Sequence, residues 1–222
     1  MLASVKAGKL TFPGALAGGI IAVCLYAGAG FWGIALLGLF FILGTLATSW
    51  KLADKEKEGA AEKDNGRRKA SQVLANGGMA GLSGLLIVFF PQQTHMLQLM
   101  MTASLASATA DTLSSELGTL YGSRFYNIVS LKKDQRGLDG VVSLEGTIIG
   151  VAGSVLIALL TIWGFKRVED FGPIVIAGTI GNLADSVLGA VWERRHLIHN
   201  DVVNFLNTLI AALAAWLIHV LF

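Results

Sequence analysis

Residues 10–50 read LTFPGALAGGIIAVCLYAGAGFWGIALLGLFFILGTLATSW, a run without one Asp, Glu, Lys or Arg. An α-helix rises 1.5 Å per residue, and about 20 apolar residues cross the hydrocarbon of a bilayer. A single straight helix over this run would be roughly twice as long as that layer is thick. The run must therefore fold back, and Gly28-Ala29-Gly30 is where two helices, 11–28 and 32–50, are expected to meet. The rest of the chain fits this reading. Its 222 residues are 54% hydrophobic and only 14% charged, against about 25% charged in soluble domains. Too few charges remain to cover a water-soluble globule, so the chain is read as an all-α, polytopic integral membrane protein. The first run is too long for the apolar core of a cleaved signal, and helix one is expected to stay.

Further apolar stretches give spans at 71–90, 95–117, 143–164, 171–192 and 201–221, about seven in all, in a single transmembrane domain over 1–222. A charged loop occupies about 51–70, and a second polar loop about 118–143. Seven crossings would put 15 of the 17 Lys and Arg residues on the N-terminal face, leaving Lys166 and Arg167 opposite. By the positive-inside rule the N-terminus is then cytoplasmic. Glycines spaced for close helix approach, Gly14/Gly18, Gly77/Gly81 and Gly146/Gly150, are read as packing signals. Cys24, the only cysteine, lies in an apolar run and is read as packing. The literal G-x-G-x-x-G at 28–33 follows no strand and joins two membrane helices, so it is not a nucleotide loop. His196 and His199 lack a third nitrogen or thiolate nearby and are not read as a metal site.

The acids are placed one-sidedly. Asp111 and Glu116 close span four in ATADTLSSELG, Asp139 and Glu145 flank the start of span five in GLDGVVSLEGT, and Asp185 stands in GNLADSVLGA, with Glu193 nearer the surface. Asn76 (QVLANGG) and Asn204 (NDVVNFLNT) fall at the same depth. An intramembrane acid costs about 2.5–3.5 kcal/mol at mid-bilayer on insertion scales. Several of them converging from different helices would repel unless a cation joins them. Oxygen ligands alone suggest Mg²⁺, which keeps waters and recruits phosphates.

RRKASQVLANGG, ATADTLSSELG, GLDGVVSLEGT, GNLADSVLGA and the late NDVVNFLNT together resemble the membrane family containing plant phytyl-phosphate kinase and its transmembrane homologues. Leu138 stands where members often have Thr, with Asp139 kept. The resemblance implies phosphorylation of an isoprenoid (phytyl, geranylgeranyl or polyprenyl) monophosphate to the diphosphate by CTP or another nucleoside triphosphate. On that reading Asp111, Asp139 and Asp185 hold Mg²⁺, and Glu116 and Glu145 orient its waters or basic partners. Arg67, Arg68, Asn76, Lys132, Lys133, Arg136, Ser143, Asn182 and Asn204 are the candidate substrate and nucleotide contacts. The expected partners are a nucleoside triphosphate (CTP favoured), the isoprenoid monophosphate and the bilayer, and not a nucleic acid. The active site would face the cytoplasm. A Mg²⁺-dependent CDP-lipid cytidylyltransferase, and a transporter of an anionic or cation-coupled solute, stay open as alternatives, as does the oligomeric state.

Overall fold

The computed structural model describes residues 2–52, 55 and 66–222. Most of the charged 51–70 segment, including Lys57 and Lys63, lies outside the described residues. A short helix α1 (Leu2–Lys6) precedes α2 (Phe12–Ser49). Thr11 caps α2 by accepting from Gly14 N, and Pro13 fits the first turn, where no N–H is needed. Within α2, Gly30 has φ 60° and ψ −147°, a conformation that a side chain would strain. The chain reverses there. A Cβ on Gly33 would lie 2.5 Å from the Leu25 carbonyl oxygen, and at the other end Lys9 Nζ donates to Ser49 Oγ at 2.8 Å. The turn expected at Gly28-Ala29-Gly30 is thus at Gly30, between two antiparallel limbs.

The remaining long helices are α3 (Ala70–Phe89), α4 (Thr94–Tyr121), α5 (Leu144–Phe165), α6 (Phe171–Leu188) and α7 (Asn200–Leu221). Among the described residues, five stretches are long and apolar enough to cross a membrane: α2, α3, α5, α7 and Val168–Glu193, which contains α6. Helix α4 is too polar to be among them, and its position explains why. It is the central post of the bundle, packed by α2, α3, α5, α6 and α7, and it is buried almost without a break from Leu97 to Ala110. A helix that meets protein on all sides needs small residues more than greasy ones. Its hydroxyls are satisfied internally: Thr102, Ser104 and Thr109 donate to the carbonyls of Leu99, Met101 and Leu105.

Glycine sets how close the neighbours come. Gly146 and Gly150 of α5 lie on α4, where added Cβ atoms would stand 3.1 Å from the carbonyl oxygens of Ser114 and Ala110. Gly77 and Gly81 of α3 face Ile21. Two expected boundaries move. Helix α4 runs on to Tyr121, because Gly118 is used for contact with Gly146 rather than as a stop, so the second polar loop opens at Gly122. Helix α6 ends at Leu188 and continues as one π-helical turn, Gly189–Glu193. Between α4 and α5, β1 (Tyr126–Asn127) pairs antiparallel with β2 (Val141–Val142). At the far end of the bundle, buried Asp170 accepts from Arg167 Nε at 2.9 Å and lies 2.8 Å from His95 Nε2, while Arg167 also donates to Gln98. This network ties the ends of α4 and α6.

Candidate functional site

Helix α4 delivers Asp111, α6 delivers Asp185, and the segment after β1 delivers Asp139. All three line one open cavity of about 330 Å³ at the end of the bundle where α4 and α6 finish and α5 begins. Arg68, Gln72 and Asn76 border it from α3 and the segment before it, Asn200 and Asn204 from α7, and Glu116, Ser143, Asn182 and Glu193 complete its polar wall. The carboxyls of Asp111 and Asp185 lie within hydrogen-bonding reach of each other. Asp139 faces Asp185 and Glu193 across the opening. Two unit negative charges at 4 Å repel by about 4 kcal/mol at an effective dielectric of 20. Such an arrangement calls for a shared proton or a cation.

A buried layer behind these acids fixes their direction. Asn207, fully buried, donates from Nδ2 to Asp185 Oδ1 at 2.7 Å, and its own Oδ1 accepts from Ser107 Oγ at 3.0 Å. The two bonds together fix the amide's orientation. Asn182 Oδ1 accepts from Ser114 Oγ at 3.0 Å. Its Nδ2 occupies the space beside Gly150, 2.6 Å from where a Cβ would stand. Close approach of α5 and α6 therefore depends on a glycine facing an amide.

Asp139 is exposed and depends on its loop for position. Gly140 (φ +74°) presses its backbone against the π turn, and a Cβ there would lie 2.4 Å from Ala190 N. Asp134 accepts from both terminal nitrogens of Arg194, at 2.5 and 3.3 Å, which fastens the same loop to the residue after that turn. This bond holds the Asp134 carboxyl below its ordinary value and raises the Arg194 guanidinium. Asn127 Oδ1 accepts from the N–H groups of Val129 and Ser130, closing the tip as an Asx turn.

Other candidates are placed differently. Glu145 does not line the cavity. Its Oε1 accepts from Ser123 N and Oγ, so it ties down the start of the loop instead of facing the aspartates. Glu116 lines the cavity, but its carboxylate is paired with fully buried Lys55, which also donates to the Ala47 carbonyl at the end of α2. Ser143 lies at the wall as the N-cap of α5, accepting from Gly146 N. Arg67 donates to the Leu10 carbonyl and does not reach the cavity. Lys132 and Lys133 are exposed near the loop tip, and Arg136 lies over the Phe125 ring; none of the three lines the cavity. Arg68 does. Backbone pairing of Arg68 with Lys9 and Thr11 carries its side chain to the surface of α2, over the Phe40 ring and beside Gly44.

Glu193, Asn207 and Gln72 belong to the site or its support and are not among the candidate contacts that the sequence yields. The π turn that aims Glu193 inward has no signal in residue types. Asn207 was visible in NDVVNFLNT, but its partners come from two other helices.

The donor chemistry fits a hard divalent cation: four carboxylates face one another with amides behind them. Among the described residues no three of these acids stand close enough to bind one ion together. Asp111 and Asp185, the near pair, are the residues that could hold such an ion, with Asp139 and Glu193 on the same cavity wall.

The model of the integral membrane protein family DUF92 matches residues 1–212, and the chain belongs to that family. It is 35% identical over 210 residues to an uncharacterised membrane protein of Methanocaldococcus jannaschii, covering 93% of this chain and 84% of the relative. It is 31% identical over 230 residues to Protein VTE6, chloroplastic, of Arabidopsis thaliana, covering 97% and 68%. Protein PGR of the same plant is 26% identical over 214 residues, covering 86% and 74%. The family resemblance carried by the sequence motifs is borne out. No solved structure matches.

Proposed function

We propose that this DUF92 protein is a membrane phosphotransferase that moves the terminal phosphoryl group of a nucleoside triphosphate, CTP favoured, onto an isoprenoid monophosphate. The observation carrying this reading is the convergence of Asp111, Asp139 and Asp185 on one open cavity. The motif resemblance to the family containing plant phytyl-phosphate kinase, together with 31% identity to Protein VTE6, chloroplastic, supports an isoprenoid phosphate as the acceptor.

Phosphoryl transfer asks for in-line positioning and charge neutralisation more than for covalent help. The lipid phosphate already carries a nucleophilic oxygen at neutral pH. It attacks the terminal phosphorus, the bond from that phosphorus to the bridging oxygen breaks, and the nucleoside diphosphate leaves with the electron pair. No general base is needed. Asp111 and Asp185 would hold Mg²⁺, which neutralises the triphosphate charge when bound. Asn207 keeps Asp185 turned into the cavity. Arg68 and Asn204 are placed to meet phosphate oxygens or a ribose.

In a bilayer, the two limbs of α2 and the other five long helices would make seven crossings, with the N-terminus and the cavity on the cytoplasmic side. The cavity's place at one end supports an enzyme over a carrier, whose site belongs near mid-membrane. Above it the bundle is closed, with Ser107 bonded to Asn207 and Thr208 Oγ1 3.5 Å from the Ala75 carbonyl.

The test supplies purified protein with CTP or ATP labelled at the terminal phosphate and with geranylgeranyl or phytyl monophosphate. Label in the lipid diphosphate is expected. Label entering lipid only from the α-position would make it a cytidylyltransferase. No transfer from any donor to any acceptor overturns the enzyme reading.

A further inference from the structure

The acid cluster divides the cavity into two unlike sides. Toward α3 and α7 the wall is polar: Arg68, Gln72, Asn76, Asn200 and Asn204. Toward α5 and α6 it also carries apolar surface, from Phe125, Leu138, Val141, Val142 and Leu183, among the small polar side chains Ser143, Thr147, Asn182 and Ser186. Two further observations give each side a ligand chemistry.

On the polar side, Asn76 donates from Nδ2 to the Gln72 carbonyl at 3.0 Å, which fixes which way its amide points. Its Oδ1 is buried and meets no donor among the described residues. A buried acceptor without a partner costs about 1–3 kcal/mol. It is suited to a ligand hydroxyl or amino group. On the other side, Leu183 lines the cavity from a stretch long and apolar enough to cross a membrane. It is 37% exposed and lies on one helical stripe with Ile180 (41%) and Val187 (40%). Thr147 of α5 also lines the cavity, and its neighbour Ile148 is 59% exposed. These residues border the seam between α5 and α6 on the cavity side of Gly150, beside which the Asn182 amide fills the space between the two helices.

We infer that the cavity opens sideways to the bilayer between α5 and α6, at Leu183 and Thr147, and that the apolar chain of the lipid acceptor enters and leaves through this opening. The nucleotide occupies the α3/α7 side, its sugar or base donating to Asn76 Oδ1. The inference rests on the phosphotransferase reading for the identity of the two ligands. It adds where each one lies: an amphiphile approaching from the membrane and a water-soluble donor approaching from the opposite side meet at Asp111 and Asp185.

The experiment maps contacts directly, without turnover. A geranylgeranyl monophosphate analogue with a diazirine at the chain end is photolysed with the full-length protein in nanodiscs, and adducts are located by mass spectrometry. Adducts within residues 138–148 and 180–187, suppressed by excess unlabelled geranylgeranyl monophosphate, are expected. Adducts on α3 or α7, or labelling that the competitor leaves unchanged, overturn the inference. As a second measurement, Leu183→Trp, which narrows the opening, should raise KM for geranylgeranyl monophosphate roughly tenfold. The rise should shrink with chain length, being far smaller for a five-carbon prenyl monophosphate, and KM for CTP should not rise in step. A rise in KM for CTP instead contradicts the assignment. Expected adducts without phosphoryl transfer would sink the kinase reading and leave the opening standing. Transfer with adducts on α3 or α7 would do the reverse.

Discussion

Asp111 and Asp185 are the residues with least freedom to be ornamental. They face each other at the end of two helices, one of them held by an amide bonded on both sides. Asp111→Asn and Asp185→Asn should reduce phosphoryl transfer to background while the protein still inserts and elutes as wild type; full activity in either variant removes that residue from the cation site. Asn207→Leu tests the support behind them. Outer-layer partners of metal ligands are typically worth about 10–100-fold in affinity or activity. A loss of that size, with a raised Mg²⁺ half-saturation, is expected, and a loss without any shift in Mg²⁺ dependence would make Asn207 a packing residue only. The acids were legible in the sequence because an acid in an apolar helix is costly and demands a reason. The basic contacts were less so. Lys132, Lys133 and Arg67 are as basic as Arg68, but only backbone pairing of Arg68 with Lys9 and Thr11 carries a side chain to the cavity.

At the scale of elements, the loop that carries Asp139 is held by two fastenings, each separately testable. Gly137 and Gly140 both have positive φ, +81° and +74°, but a Cβ on Gly137 meets open space while one on Gly140 meets the Ala190 backbone. Gly137→Ala should cost only the left-handed strain of about 1–2 kcal/mol. Gly140→Ala should move Asp139 and lower transfer much further; equal activity in the two variants would show that the contact with Ala190 does not position Asp139. The Asp134–Arg194 pair gives a pH signature. Its hydrogen bond lowers the folded-state value of Asp134. The pair therefore adds stability above the ordinary carboxylate value, about 3.9. That stability is lost as pH falls through the lowered value. Wild type should melt above Asp134→Asn at pH 7, and the difference should close as pH drops below about 4; a difference independent of pH would contradict this. The long helices were readable from apolar length alone, and the Gly30 turn from a run too long for one crossing. The π turn and the Gly140 contact were not, because each depends on what another segment places beside it.

For the molecule as a whole, one polar helix enclosed by apolar ones explains how a membrane protein carries this many hydroxyl and acidic side chains. Helix α4 contacts protein rather than lipid for most of its length, so Ser, Thr and Asp on it can be matched by other helices. Its low hydropathy is a consequence of that place at the centre. The proposed cytoplasm-facing orientation rests on the distribution of basic residues and can be checked with single cysteines in a Cys24→Ser background. A cysteine at Ser130 should react with an impermeant reagent only from the cytoplasmic side, and one at Glu169 only from outside; the opposite pattern would turn the cavity to the exterior.

The most direct measurement of the central claim is binding of Mn²⁺, in place of Mg²⁺, to purified protein with and without CTP, followed by paramagnetic resonance. Wild type should bind Mn²⁺ in a nucleotide-dependent way. Asp111→Asn and Asp185→Asn should lose that binding, and Glu145→Gln, whose carboxylate is held by Ser123 away from the cavity, should keep it. Equal binding in all four proteins, or its loss only in Glu145→Gln, would contradict a cation held between Asp111 and Asp185.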